Sequence, residues 1–198
     1  MFFGHAGGTL AMVVAFWIVF YVWIGAELWL GSRRRRLPSG ATDRDSGSKA
    51  WVIGSVWTAV AVGIGLAFAF PDAAIQRGRT AVFVAGLVLM LAGLALRWYA
   101  VWVLGPSFTV DVATRPGQPV VESGPYRWIR HPSYTGGLLT LLGVLVCCCN
   151  LVSLLAIIVG LAGYAYRIRI EERALATDLG APYRDYMRRT KRLIPFVV

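Results

Sequence analysis

Two short polar segments carry the side chains that could do chemistry in this chain. The first spans residues 124–134 and contains Arg130 and His131, directly before Pro132. Proline is favoured in the first turn of a helix, and the backbone N–H groups of that turn have no partner within the helix. Such a helix start can bind an anion, and the two basic side chains before it suit the same ligand. The segment therefore predicts a polar binding site.

The second polar segment spans residues 167–173 and contains Arg167, Glu171 and Glu172. Arg167 and Glu171 lie four positions apart, so they share one face of a helix and can form a pair. An ordinary surface salt bridge would explain that spacing equally well. The apolar stretch between the two segments is long enough to fold back on itself as a helical hairpin. We therefore expect the two segments to meet at one end of that hairpin.

The elements that position these segments are predicted to be membrane helices. Hydrophobic residues make up 57% of the 198 residues, and the mean hydropathy is +0.61. A helix needs about 20 apolar residues to cross a bilayer, and residues 9–30, 51–70 and 80–104 meet this requirement. A helical hairpin follows at 133–167, and its first arm, 133–146, is short enough to tilt, to stop early or to be re-entrant. The sequence therefore predicts an all-α membrane protein with five transmembrane helices, the last two a helical hairpin.

The formal net charge of +10 would suit a nucleic-acid partner, but the basic residues are distributed by membrane side. They cluster at residues 33–49, around the loop at 105–132, and in the tail from residue 167 onward, whereas Arg77 and Arg79 lie in the opposite connection. This asymmetry predicts an integral, multi-pass protein with its N-terminus outside and its C-terminus in the cytoplasm. It also argues against nucleic-acid binding.

Two regions follow from this organisation. Residues 1–104 are predicted to form a three-helix N-terminal membrane region, and residues 105–198 a core that carries both polar segments. The loop at 105–132 contains four prolines, which prevent a continuous helix. Loops of this length in compact proteins are usually functional. An amphipathic C-terminal helix is expected to begin near Pro182 and to cover the site or lie on the membrane surface.

Small and charged residues within the spans predict how the helices pack. Gly63 and Gly65 in the second span, and Gly86 and Gly93 in the third, give small faces on which helices can approach closely. Because a short turn joins these two spans, we expect them to form an antiparallel pair. Glu27 is an acid inside the first span. It is expected either to pair at the interface with the basic residues that follow the span or to mark a functional site.

The cysteines do not predict a metal site. Cys147, Cys148 and Cys149 are consecutive, so their side chains diverge and cannot converge on one ion. They are interpreted as small apolar residues near the apex of the hairpin.

The core region resembles the isoprenylcysteine carboxyl methyltransferase and phospholipid methyltransferase group of membrane enzymes. The resemblance covers residues 104–196, whereas residues 1–100 match only in being transmembrane. It rests on Arg130, His131, Pro132, Ser133 and Tyr134, on Gly136, Gly143 and Asn150, on Glu171, Glu172 and Leu175, and on Gly180, Tyr183, Tyr186, Ile194 and Pro195 in the tail.

This resemblance implies methyl transfer from S-adenosyl-L-methionine to a lipophilic acceptor. The cofactor pocket is expected on the cytoplasmic side of the membrane, with membrane lipids around the helices. The candidate catalytic residues are Arg167 and Glu171, and Arg167 is expected to hold the acceptor. No metal is expected. The residues expected to contact the cofactor are Tyr126, Arg130, His131, Pro132 with the N–H groups after it, Tyr134, Glu171 and Glu172.

The identity of the acceptor stays open, with an isoprenylcysteine-type carboxylate favoured. A carboxylate is ionised at neutral pH, so its methylation needs no general base. A phospholipid amine would need one, and a glutamate is the candidate. A sterol-reductase-like enzyme that uses NADPH is a rival because its C-terminal region is similar, although such reductases need more spans than this chain supplies. A non-enzymatic membrane scaffold would leave both polar segments unexplained.

The predicted topology can be tested by cysteine labelling in intact cells. A cysteine at position 40 should be reachable only from the cytoplasm, and a cysteine at position 76 only from outside, because the arginine asymmetry places these connections on opposite sides. Labelling of position 40 from outside and of position 76 from inside would contradict the prediction.

Overall fold

The structure is a computed structural model that describes residues 10–32, 42–43, 47–108, 113–114 and 119–195. The described part is helical apart from a two-residue antiparallel pairing of β1, Thr42–Asp43, with β2, Ala113–Thr114. The helices are α1 (Leu10–Ser32), α2 (Ser48–Ala69), α3 (Arg79–Leu104), α4 (Pro132–Cys147), α5 (Ile157–Asp178) and α6 (Ala181–Arg189), with 3-10 turns at Pro71–Ala73, Gly105–Ser107, Gly124–Arg127 and Val152–Ala156. The three helices predicted for the N-terminal region are confirmed as helices.

Four of these elements are long and apolar enough to cross a membrane. They are α1, α2, α3 and the continuous helix Val152–Asp178, with mean hydropathies of 2.0, 2.0, 2.1 and 1.4. Helix α4 has 16 residues, so it spans about 24 Å at ~1.5 Å per residue, less than the roughly 30 Å hydrocarbon layer. The chain is therefore an integral, multi-pass membrane protein with one short apolar helix among its longer ones.

Helices α3 and α4 approach each other most closely through a stripe of glycines. Gly86 faces Gly143, and Gly93 faces Gly136, so that the two helices run antiparallel. A Cβ atom at Gly93 would lie 2.5 Å from the Gly136 carbonyl oxygen and from the backbone nitrogen of Thr140. The glycines on each helix are seven residues apart, which is about two turns, so both contacts lie on one face. The absence of side chains here allows backbone-to-backbone packing.

The expected pairing of the second and third spans is wrong. Helix α2 packs mainly on α5 and the turn Val152–Ala156, whereas α3 packs mainly on α4. The expectation for Gly65 is also wrong, because a Cβ atom there would meet nothing within 4 Å, while Gly63 contacts Leu145 as a close-packing glycine should. A short connection makes consecutive spans antiparallel in direction, but it does not make them each other's main partner.

Asn150 joins the two chain reversals at one end of the bundle. Its side chain is 2% exposed, and its Nδ2 donates to the Phe70 carbonyl at 2.8 Å. Its Oδ1 accepts from the backbone nitrogens of Val152 at 2.9 Å and Ser153 at 3.2 Å. The α4–α5 connection is thereby tied to the α2–α3 connection. The opposite end, called the polar end below, is where α1, α3 and α5 end and α2 and α4 begin.

The glycine stripe predicts that Gly93→Ala lowers the unfolding temperature in detergent micelles. The new methyl group would overlap the α4 backbone, and overpacking of this kind costs about 1–3 kcal/mol. Gly65→Ala is the matched control and should leave the unfolding temperature unchanged or slightly raised, since its methyl group meets no neighbour. Equal behaviour of the two variants would contradict the close approach of α3 and α4.

Candidate functional site

The start of α4 and the end of α5 lie in contact at the polar end. The Tyr134 hydroxyl donates to Glu171 Oε2 at 2.5 Å and accepts from Arg167 Nε at 3.1 Å. The His131 ring stacks on the Tyr134 ring, with centroids 5.4 Å apart and planes 9° apart. The two polar segments therefore meet through one phenol, which joins Arg167 to Glu171.

Glu172 lies at the centre of this end and is 5% exposed as a side chain. Its Oε1 accepts from Arg130 Nε at 2.8 Å and lies 3.3 Å from His131 Nε2. Its Oε2 accepts from Arg192 Nε at 3.0 Å, and Arg192 Nη2 lies 2.9 Å away. Two guanidinium groups and an imidazole thus surround one carboxylate. Glu171 differs, because 28% of its side chain is exposed.

The C-terminal segment after α6 is strapped to the chain just before α4. The backbone nitrogen of Arg130 donates to the Lys191 carbonyl at 2.7 Å, and that of His131 donates to the Arg192 carbonyl at 3.0 Å. Thr135 Oγ1 donates to the Leu193 carbonyl at 2.8 Å. Arg192 therefore reaches Glu172 from a fixed backbone. The hydrogen bond to Glu172 raises the pKa of Arg192 above its usual value, so this side chain stays charged.

Helix α6 covers the turn that contains Tyr126. Tyr183 and Tyr186 are 4% and 3% exposed, so these two rings of the amphipathic helix lie against the protein. The Tyr186 hydroxyl donates to the Tyr126 carbonyl at 2.6 Å. Burial raises the pKa of the Tyr126 phenol, with the Glu171 carboxylate acting in the same direction. Tyr126 is therefore a neutral, buried neighbour of Glu171.

Fewer backbone N–H groups are available to an anion at the start of α4 than the sequence predicted. Pro132 opens the helix, as expected. The backbone nitrogens of Tyr134 and Thr135, however, both donate to the His131 carbonyl at 3.0 Å. A helix start uses its own first carbonyl in this way, so these two N–H groups are engaged within the chain.

Arg167 is 5% exposed, and its side chain forms hydrogen bonds to residues of two other helices. Besides the Tyr134 hydroxyl, its Nη1 donates to Ser48 Oγ at 2.7 Å. Ser48 is fully buried at the start of α2. The sequence predicted neither the contact of Ser48 nor that of Arg192. Ser48 lies 119 residues before Arg167, and Arg192 lies 20 residues after Glu172. A serine in a solvated connection and an arginine in a basic tail carry no local signal of such distant contacts.

Residues 85–177, which include both polar segments, match the model of the isoprenylcysteine carboxyl methyltransferase (ICMT) family. Over these residues the chain is similar to this family. The match runs from α3 through α4 to the end of α5, and so it includes the helices that bring His131 and Tyr134 to Glu171 and Glu172.

Named relatives agree with the family match. The chain is 35% identical over 115 residues to protein-S-isoprenylcysteine O-methyltransferase B of Arabidopsis thaliana, which covers 57% of this chain and 58% of that protein. It is 33% identical over 136 residues to protein-S-isoprenylcysteine O-methyltransferase of Saccharomyces cerevisiae, which covers 66% and 57%. The chain thus spans less than two thirds of the length of these relatives.

A solved structure is also similar. The eukaryotic intramembrane Ras methyltransferase ICMT matches with a TM-score of 0.55 and 27% identity over 77% of this chain and 53% of that protein. The structural match therefore extends beyond the residues of the family model into the N-terminal region.

The surroundings of Glu172 predict unequal effects of removing the two carboxylates. Glu172→Gln leaves two guanidinium groups facing each other, and breaking a buried ion pair costs about 3–5 kcal/mol. Glu171→Gln keeps an oxygen that can accept from Tyr134 and should cost about 1 kcal/mol or less. Thermal unfolding in detergent should therefore rank Glu172→Gln well below Glu171→Gln. The reverse order would contradict the central place given to Glu172.

Proposed function

We propose that this protein is an S-adenosyl-L-methionine-dependent methyltransferase that acts on a lipophilic acceptor, with an isoprenylcysteine-type carboxylate favoured. The contact between Arg130-His131 and Glu171-Glu172, made by the helices that match the ICMT family, is the observation that carries the proposal. The relatives are named for methylation of isoprenylcysteine.

The residues at the polar end suit the chemical groups of the donor. When bound, S-adenosyl-L-methionine supplies an electrophilic methyl group on a positively charged sulfur. A carboxylate beside aromatic rings suits a cationic ligand with ribose hydroxyls, and Glu171 lies against Tyr134 with part of its side chain exposed. We assign donor contacts to His131, Tyr134 and Glu171, with Tyr126 flanking the site as a neutral ring.

In this proposal Glu172 and Arg130 do not contact the ligand and instead position the residues that do. The Glu172 carboxylate already accepts from Arg130 and Arg192, and the His131 ring nitrogen lies beside it. We assign to Glu172 the role of fixing the orientation of the His131 ring, and to Arg130 the role of fixing the tail through the carbonyls of Met187 and Thr190. The donor site would thus be preorganised by pairs that form before any ligand binds.

Arg167 is assigned to the acceptor. Its guanidinium group is planar and can hold a carboxylate by two parallel hydrogen bonds. The acceptor oxygen would form a bond to the methyl carbon as the carbon–sulfur bond breaks, giving a methyl ester and a neutral thioether. An ionised carboxylate loses no proton in this step, so no general base is needed. Orientation of the acceptor and exclusion of water are then the contributions of the protein.

The membrane arrangement belongs to the same proposal. We place the polar end on the cytoplasmic side, with the N-terminus outside and α4 as a short fifth membrane helix that forms a hairpin with α5. The arginine-rich connections support this orientation. The contacts Gly137–Tyr164 and Leu141–Gly160 support the antiparallel course of α4 and α5.

Methyl transfer from tritiated donor to an S-farnesylated cysteine derivative tests the proposal. Methyl esters release volatile methanol in base, whereas methylated amines do not, so the assay separates the two acceptor classes. Arg167→Lys should lower turnover about tenfold or more, which corresponds to ~1.4 kcal/mol of lost transition-state orientation, with nearly unchanged donor affinity. Arg169→Lys, exposed on the same helix, is the matched control and should turn over normally.

Three outcomes would contradict parts of this assignment. Normal turnover of Arg167→Lys would make Arg167 an ordinary charge at a helix end. Loss of donor binding in that variant would move Arg167 into the donor site. Base-stable product in membranes, with none formed on the farnesylated cysteine, would replace the carboxylate by an amine acceptor.

A further inference from the structure

Glu27 and Arg97 form an ion pair inside the membrane-spanning helices. Arg97 Nη2 donates to Glu27 Oε2 at 2.7 Å, and Arg97 Nε lies 2.5 Å from Glu27 Oε1. The side chains are 14% and 37% exposed. The sequence allowed two interpretations of Glu27: a pair with the arginines after α1, or a functional site. Those arginines lie outside the described residues. The structure supplies a partner from α3.

The pair lies well inside the apolar helices. Glu27 is five residues before the end of α1 and Arg97 seven before the end of α3, or about 8 Å and 10 Å at ~1.5 Å per residue. Charged groups at such positions are expensive, and an apolar pair of similar size would pack without the cost of desolvation. An ion pair at this position therefore indicates a role that depends on its geometry.

The third side of the Arg97 guanidinium group points at the start of α4. Nη1 donates to Ser133 Oγ at 3.0 Å and to the Ser133 carbonyl at 3.3 Å. Ser133 is 7% exposed and lies between Pro132 and Tyr134. The Arg97 backbone also packs directly on Gly136, where a Cβ atom would lie 2.7 Å from the Arg97 nitrogen. Arg97 thus holds the start of α4 by its side chain at Ser133 in the first turn and by its backbone at Gly136 in the second.

Helix α1 is also attached by aromatic contacts, since Trp23 stacks on Trp57 of α2 and Trp29 lies against Trp98 of α3. Its buried side chains among the described residues are Trp23 and Leu30. The hydrogen bond from Nη2 to Glu27, with Nε close to the second Glu27 oxygen, fixes the plane of the guanidinium group, and the plane decides where Nη1 points. Glu27 therefore orients Arg97, and Arg97 in turn orients Ser133.

We propose that Glu27 and Arg97 are positioning residues, which set the first turn of α4 so that His131 and Tyr134 face the carboxylates of α5. For its effect on ligand binding this inference rests on the proposed function. Neither residue contacts the donor in this scheme. Each acts through Ser133.

The test compares Arg97→Lys with the charge-swapped double variant Glu27→Arg/Arg97→Glu. Lysine keeps the charge, but one ammonium group cannot serve both Glu27 and the two Ser133 oxygens. The swapped pair restores the attraction between α1 and α3, but a glutamate cannot donate to the Ser133 carbonyl. The exposed pair in α6 gives a matched control, Asp185→Arg/Arg188→Asp, with side chains 58% and 77% exposed.

Three quantities are measured on the 198-residue chain in detergent: the affinity for S-adenosylhomocysteine, the unfolding temperature, and the rate at which diethyl pyrocarbonate modifies His131, read by peptide mass spectrometry. We expect Arg97→Lys and the swapped variant to weaken binding about fivefold to tenfold and to raise His131 reactivity several-fold. The swapped variant should unfold at a higher temperature than Glu27→Arg alone. The control should match the wild type in all three.

Wild-type affinity and wild-type His131 reactivity in the swapped variant would overturn the inference, because the pair would then only attach α1. If the swapped chain does not fold, wild-type His131 reactivity in Arg97→Lys overturns it equally. A wild-type protein that binds no S-adenosylhomocysteine would refute the proposed function, while raised His131 reactivity in the variants would still support the positioning role.

Discussion

A buried carboxylate cannot keep its charge unless polar partners replace the water that it loses, and Glu172 obtains these partners from distant parts of the chain. Arg130 and His131 come from the segment before α4, and Arg192 comes from the segment after α6. Glu172 itself lies near the end of α5. One acid therefore joins three pieces of backbone, and the side-chain positions of Arg130, His131 and Arg192 depend on it.

The other end of the bundle explains why this alignment is stable. Asn150 joins the two chain reversals through the Phe70 carbonyl, and the glycine stripe lets α3 and α4 touch along their backbones. With both ends of α4 fixed, a short helix can present His131 and Tyr134 reproducibly. The cost is low tolerance of added volume along α4, since its neighbours leave no room for a side chain at Gly136 or Gly143.

The sequence predicted helices and polar segments well because hydropathy and charge are local properties. It did not predict helix partners, since residues that face lipid and residues that face another helix are equally apolar, and α2 packs on α5 rather than on α3. The contacts of Ser48 and Arg97 were missed for a related reason. Each joins residues far apart in the chain, and only the packed bundle brings them together.

The central claim is that the polar end binds an adenosyl ligand, and thermal unfolding of the purified protein with added ligand tests it most directly. A ligand at 100 times its dissociation constant stabilises the folded state by about 2.7 kcal/mol. We predict that S-adenosylhomocysteine raises the unfolding temperature of the wild-type protein and that NADPH at the same concentration does not. Stabilisation by NADPH instead, or by neither ligand, would contradict the account.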